Sequence, residues 1–153
     1  MNDYDVVIAA IDMTPESARV LARARAQAGE GTLHVVHVIH PVTQSYGGFG
    51  VAGLGGDFSA ELAGLERRAA EEARTRLVEL GADYGIAEDA CHAVVGNAAS
   101  EIQRLAGEVG AGLIVVGSHG RHGLGLLLGS TANGVLHGAK RDVLAVRVAL
   151  EDD

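Results

Sequence analysis

Apolar residues in this chain gather into five short runs separated by stretches of helical periodicity. The runs are Val6 to Ile11, Leu33 to Ile39, Ala93 to Val95, Leu113 to Val116 and Val143 to Val148. Each has strand length and is rich in β-branched residues. The first, second and fourth are apolar at nearly every position, without the alternation of a half-exposed sheet. They therefore predict strands covered on both faces, as parallel strands are.

The intervening segments predict helices. The first begins at Thr14-Pro15-Glu16-Ser17, where Thr14 suits the N-cap, Pro15 the first helical position and Glu16 the positive end of the dipole, and it ends near Gly29. The second spans roughly Ser59 to Leu80. Leu62, Leu65, Ala69, Ala73, Leu77 and Leu80 form its apolar stripe, and Glu66, Arg67, Glu71 and Arg74 its solvated face, before Gly81. The third starts after Asn97, carries Ile102, Leu105, Ala106 and Val109, and stops at Gly110, while the fourth covers Ser130 to His137. Strand and helix thus alternate throughout. Right-handed crossovers turn that order into one doubly wound, Rossmann-like α/β domain over residues 1–153, a parallel sheet with helices on both faces. Ligands of such sheets bind beyond the carboxyl ends of the strands, where the strand order reverses.

One stretch departs from this rhythm. Residues 41–58 hold six glycines (Gly47, Gly48, Gly50, Gly53, Gly55 and Gly56) and little periodicity, too long for an ordinary connection. They are expected to form a flexible glycine-rich loop, or a lid over a ligand at the carboxyl edge. Residues 149–153 form an acidic tail.

Composition narrows the function. At 153 residues and 48% hydrophobic content the chain can bury one sizeable core, and its formal net charge of -8 argues against a grip on nucleic-acid phosphates. Aromatic residues make up 3%, leaving few platforms for stacking bases. A single cysteine, Cys91, allows no disulfide within the chain, and no apolar run approaches the ~18 residues of a membrane span. A cytoplasmic protein without membrane or nucleic-acid partners is expected.

The chemistry concentrates after the fourth strand. Val115-Val116 leads into Gly117-Ser118-His119-Gly120, then Arg121, and Gly129-Ser130-Thr131 opens the last helix. Glycine lets a backbone approach an anion, and a helix N-terminus adds unpaired N–H donors and positive partial charge, so phosphate is the natural guest. The same residues also suit a plain connecting turn, with Ser130 and Thr131 as caps. Arg121 supplies a cation, and His119 is a loop histidine near a nucleotide. Asp12, ending the first strand, either supports the first helix or meets ribose hydroxyls or a magnesium ion. His34, His37 and His40 do not form a ligand set, because alternation along a strand turns His37 away from the other two. No G-x-x-x-x-G-K-[ST], G-x-S-x-G or G-x-G-x-x-G after the first strand is present, and no nucleophile, base and orienting group assemble.

These residues resemble the universal stress proteins, the UspA-like family. The resemblance is carried by Val7 to Asp12 with Thr14-Pro15-Glu16-Ser17, by His37-Val38-Ile39, by Val115 to Gly120, by Gly129-Ser130-Thr131 and by Asp142 to Val146. It implies a five-stranded parallel sheet in the order 3-2-1-4-5. It further implies an adenine nucleotide, ATP with magnesium, held at the adenine by backbone at Ala10 and Val38, at ribose or metal by Asp12, and at the phosphates by Gly117, Gly120, Gly129, Ser130 and Thr131. Val116, His119 and Arg121 complete the expected site. A homodimer through Val143 to Val148 and a stress-response switch, with at most slow ATP hydrolysis, follow from the same likeness. The chain departs from the family's G-x2-G-x9-G-[ST] pattern, having eight residues between Gly120 and Gly129. The alternative is a family member that binds no nucleotide and acts as a protein-interaction module.

Overall fold

The computed structural model describes residues 3–41, 56–118 and 129–148. Its elements, in chain order, are β1 (Val6–Ala10), α1 (Ser17–Ala28), β2 (Thr32–Ile39), α2 (Gly56–Ala82), a short 3-10 turn (Glu88–Ala90), β3 (Cys91–Val95), α3 (Ala98–Val109), β4 (Leu113–Gly117), α4 (Ser130–His137) and β5 (Asp142–Val146). The five strands form one parallel sheet in the order β3-β2-β1-β4-β5, as the family likeness implies.

Two apolar layers sandwich the sheet. Val7, Ala9, Leu33, Val35, Leu113 and Val115 point to one face and pack with Val20, Leu21 and Ala24 of α1 and Leu77 of α2. Ile8, Val36, Ile114 and Val116 point to the other and meet Ile102, Leu105 and Ala106 of α3 and Ala132 and Val135 of α4. Consecutive residues of β1 and β4 therefore feed opposite layers, and this explains why those runs are apolar without alternation. Burying each large aliphatic side chain contributes about 1.5–3 kcal/mol. Asn97 caps α3 through a bond from the Ser100 N–H to its Oδ1 at 3.1 Å, and Gly110 closes that helix in the left-handed conformation. Among the described residues no helix is long and apolar enough to cross a membrane.

Several boundaries differ from the sequence expectation. Thr14 does not cap α1: its amide and hydroxyl both bond Asp12, and the chain makes a turn closed by Ser17 N–H to Thr14 O at 2.9 Å before the helix starts at Ser17. α2 begins at Gly56, so the last residues of the 41–58 stretch are helical, and it runs one residue past Gly81; residues 42–55 lie outside the described residues. The inner stripe of α2 is also rotated. Leu65 is 51% exposed and Ala69 is exposed, whereas Leu62 and Leu77 are buried and Glu66, Ala70 and Ala73 are half-buried between them. Leu62, Glu66, Ala70, Ala73 and Leu77 follow one another at three- and four-residue steps, and Leu65 and Ala69 fall outside that stripe. A shallow depression of about 510 Å3 along the N-terminal half of α2, lined by Ala60, Glu61, Gly64, Leu65 and Arg68, is distinct from the strand ends. β1 ends at Ala10 and β5 at Val146, short of the runs that predicted them, although Ile11 and Val148 remain buried.

Candidate functional site at the carboxyl edge

The strand order reverses between β1 and β4, and there the pairing stops early. The last paired residues are Ala9 with Val115, although β4 continues to Gly117 against β5. Ala10 and Val116 thus lie just beyond the last rung, at the switch point where doubly wound sheets take ligands. On the α3/α4 side the half-buried Ala10, Val38 and Val94, with Ala98 and Ala99 at the start of α3, pack against the core. Val116 is 2% exposed, so its side chain belongs to the core and only its backbone is available.

Asp12 follows β1 at this edge. Its Oδ1 accepts from the Thr14 amide at 3.1 Å, the Thr14 hydroxyl at 2.6 Å and the buried Ser17 hydroxyl at 3.2 Å. Burial raises the carboxyl pKa, but the bonds from Thr14 and Ser17 outweigh it and hold the group below the ordinary aspartate value. Oδ1 is thereby committed to the turn. Met13 takes a φ of 64°, a conformation rare for a residue with a side chain, and this places Asp12 at the head of the turn.

The glycine-rich segment leaves and re-enters the fold at one point. Ser118 N–H bonds Val146 O at 2.8 Å, and Gly129 N–H bonds Ser118 O at 2.7 Å, so the two ends of the 119–128 excursion are stapled together. His119, Gly120 and Arg121 lie within that excursion and outside the described residues. The staple delivers the N-terminus of α4 to the edge of β4. Gly129 occupies the N-cap position with Asn133 N–H on its carbonyl at 2.9 Å and, as a glycine, offers no side-chain cap; Ser130 and Thr131 open the first turn. Gly129 has φ -60° and ψ 159°, a backbone conformation open to any residue, and a Cβ on Gly117 would meet Val148 and Val20 at an ordinary 3.7 Å.

Three contributors were not singled out as site residues from the sequence. Ser17, 3% exposed, orders Asp12; the Ser118 carbonyl forms the staple; and His37 sends Nδ1 to the Ile11 carbonyl at 2.9 Å, just before Asp12. Alternation on β2 correctly separated His37 from His34. His34 instead meets His92 on β3, Nδ1 to Nε2 at 3.0 Å, with ring centroids 5.2 Å apart and planes 21° from parallel. The rings therefore meet edge to edge, with one nitrogen donating and the other accepting. Burial lowers both pKa values, and for His92 the neighbouring His34 and Arg74 lower it further, against Glu108 and Asp89. Among the described residues no group of three or more His, Cys, Asp or Glu is placed to hold a metal ion.

Fold and edge together define a small doubly wound α/β protein whose strand order reverses between β1 and β4. The profile of the universal stress protein family matches residues 3–147, and the chain belongs to that family. It is 38% identical over 151 residues to universal stress protein A homolog 2 of Coxiella burnetii, covering 97% of this chain and 98% of the relative. Homolog 1 of the same organism is 40% identical over 146 residues, covering 94% and 96%. Among solved structures, hypothetical protein MJ0577 shares the fold with a TM-score of 0.76 at 22% identity, covering 97% of this chain and 99% of that one. A universal stress protein in complex with cAMP gives 0.56 at 25% identity, covering 95% and 98%.

Proposed function

We propose that this universal stress protein binds an adenine nucleotide, ATP with magnesium, at the carboxyl edge and acts as a homodimeric stress-response switch. The observation that carries the reading is the Ser118–Gly129 staple, which sets the first turn of α4 beside the carboxyl edge of β4. Helix-terminal amides there suit phosphate, the apolar Ala10 and Val38 suit a base, and Asp12 Oδ2 suits ribose or magnesium. Gly117 and Gly120, with Gly129, Ser130 and Thr131, would cradle the phosphates, and His119 and Arg121 would lie near them. A solved relative at 25% identity holds cAMP, itself an adenine nucleotide. Hydrolysis is at most slow, since a carboxylate stabilised below its ordinary pKa is a poor base for activating water.

Dimerisation would use the open edge of β5. Val146 turns its carbonyl to Ser118, so Val143 and Ala145 turn their backbone groups outward, where a second copy would pair with them. The eight-residue spacer between Gly120 and Gly129 favours a second reading, an interaction module without nucleotide. Denaturing the purified protein and resolving the supernatant by anion exchange, with calorimetric titration of ATP–magnesium and cAMP, separates the two. Adenine nucleotide in the supernatant or saturable binding supports the first reading; neither, at millimolar ligand, overturns it.

A further inference from the structure

The residues that line the depression on α2, Ala60, Glu61, Gly64, Leu65 and Arg68, share one face of the helix at steps of three and four. Two of them are ill suited to a surface that meets only water. Leu65 is an exposed large hydrophobic residue. Gly64 sits inside a helix, where glycine is a poor choice, yet a Cβ there would meet nothing within 4 Å, so packing among the described residues does not call for it. A missing side chain over open space suits a neighbour from outside that must approach the backbone closely. Glu61 and Arg68 are seven residues apart, hence nearly in line and ~10 Å apart along the axis. Neither has an ion-pair partner among the described residues.

We infer that this face is a self-association surface, on which a second copy of the chain packs its own α2 antiparallel about a two-fold axis passing between Gly64 and Leu65. The face is complementary to itself under that rotation. Glu61 of each copy meets Arg68 of the other, each Leu65 enters the space left by the other copy's Gly64, and Ala60 meets the exposed Ala69. Parallel helices would instead set Glu61 on Glu61 and Arg68 on Arg68, so the charges select the antiparallel pair. One pair of helices makes a small, reversible contact, and ion pairs at its rim fix direction and register more than strength. The surface lies on a different element from the β5 edge, and the inference rests neither on nucleotide binding nor on pairing through β5.

Sedimentation of the full chain tests this over roughly 10 μM to 1 mM, the range in which a weak contact fills, with circular dichroism confirming that each variant is folded. The wild type should double in mass from whatever unit is present at the dilute end. Glu61→Arg and Arg68→Glu each set two like-charge pairs across the axis and should each weaken the association by about tenfold or more. The double variant Glu61→Arg/Arg68→Glu restores opposite charges and should return to within about threefold of the wild type. Gly64→Gln fills the space that receives Leu65 and should abolish the doubling while α2 stays folded, since nothing in its own chain lies against that position. No mass increase in the wild type, single reversals that leave the concentration dependence unchanged, or a double variant that fails to recover overturns the inference. A doubling that survives these variants but is lost in Ala145→Pro assigns the association to β5 and overturns it equally.

Discussion

Helices α3 and α4 touch where Gly134 faces Ala99, and an alanine at 134 probes how rigidly α4 is held. A Cβ on Gly134 would sit 2.9 Å from the Ala99 Cβ. Carbon atoms prefer about 3.5–4.0 Å, so the helices must part by roughly 0.6–1.1 Å. Overpacking of this kind costs about 1–3 kcal/mol. Against that stands the helix-propensity gain of alanine over glycine, about 1 kcal/mol. Gly134→Ala should therefore be neutral to destabilising by about 2 kcal/mol, a fall in Tm of up to roughly 4–8 °C at 2–4 °C per kcal/mol. The double-mutant cycle isolates the clash: Ala99→Gly alone loses about 1 kcal/mol of propensity, while the double variant exchanges one methyl for the other and returns close to wild-type stability. Urea unfolding followed by circular dichroism gives the three differences. A coupling of about 1–3 kcal/mol is expected. If Gly134→Ala alone stabilises by about 1 kcal/mol and the two changes add within ~0.5 kcal/mol, the helices are not in close contact and the reasoning fails. The same displacement moves the N-terminus of α4, so nucleotide affinity should weaken alongside.

Gly129→Val tests the phosphate end directly. Its backbone conformation is open to valine, so stability should change by no more than about 1 kcal/mol from the poorer N-cap, while loss of backbone approach to phosphate weakens ATP binding more than about a hundredfold in calorimetry; wild-type affinity in this variant would remove α4 from the site. The His34–His92 pair predicts a pH dependence. Both folded pKa values are lowered, so the folded state binds fewer protons than the unfolded one, and the stability is fully present above the unfolded value of about 6.5 and lost as pH falls through the folded values. The slope of unfolding free energy between about pH 5 and 7 should flatten in His34→Leu/His92→Leu, and an unchanged slope would place the titration elsewhere. Ala145→Pro removes an N–H that points away from β4, so the monomer should keep its fold while light scattering shows loss of the dimer; a dimer that persists does not use the β5 edge.

Much of the fold was legible because it depends on short-range pattern. Runs apolar at every position, such as Leu113 to Val116, announced strands buried on both faces, and Asn97 and Gly110 marked the ends of α3 through local hydrogen-bond chemistry. Asp12 and the glycine segment stood out because their positions after β1 and β4 follow from the alternation of strand and helix. Other features depend on which partner wins a contact, near in sequence or remote. Thr14 reads as a cap, but the Asp12 carboxylate competes for the same amide and hydroxyl and wins. Leu65 reads as core, yet the buried stripe of α2 runs through Leu62, Ala73 and Leu77 and leaves it exposed. Ser118 meeting Gly129, His37 meeting Ile11 and His34 meeting His92 each need the sheet assembled before the partners approach. The sequence by itself therefore determined the family, the alternating architecture and the edge where the site is proposed. Only the tertiary structure decided which oxygen of Asp12 is committed, where the ladder stops and how α4 is brought to the edge of β4, because those outcomes are competitions between local and long-range hydrogen bonds.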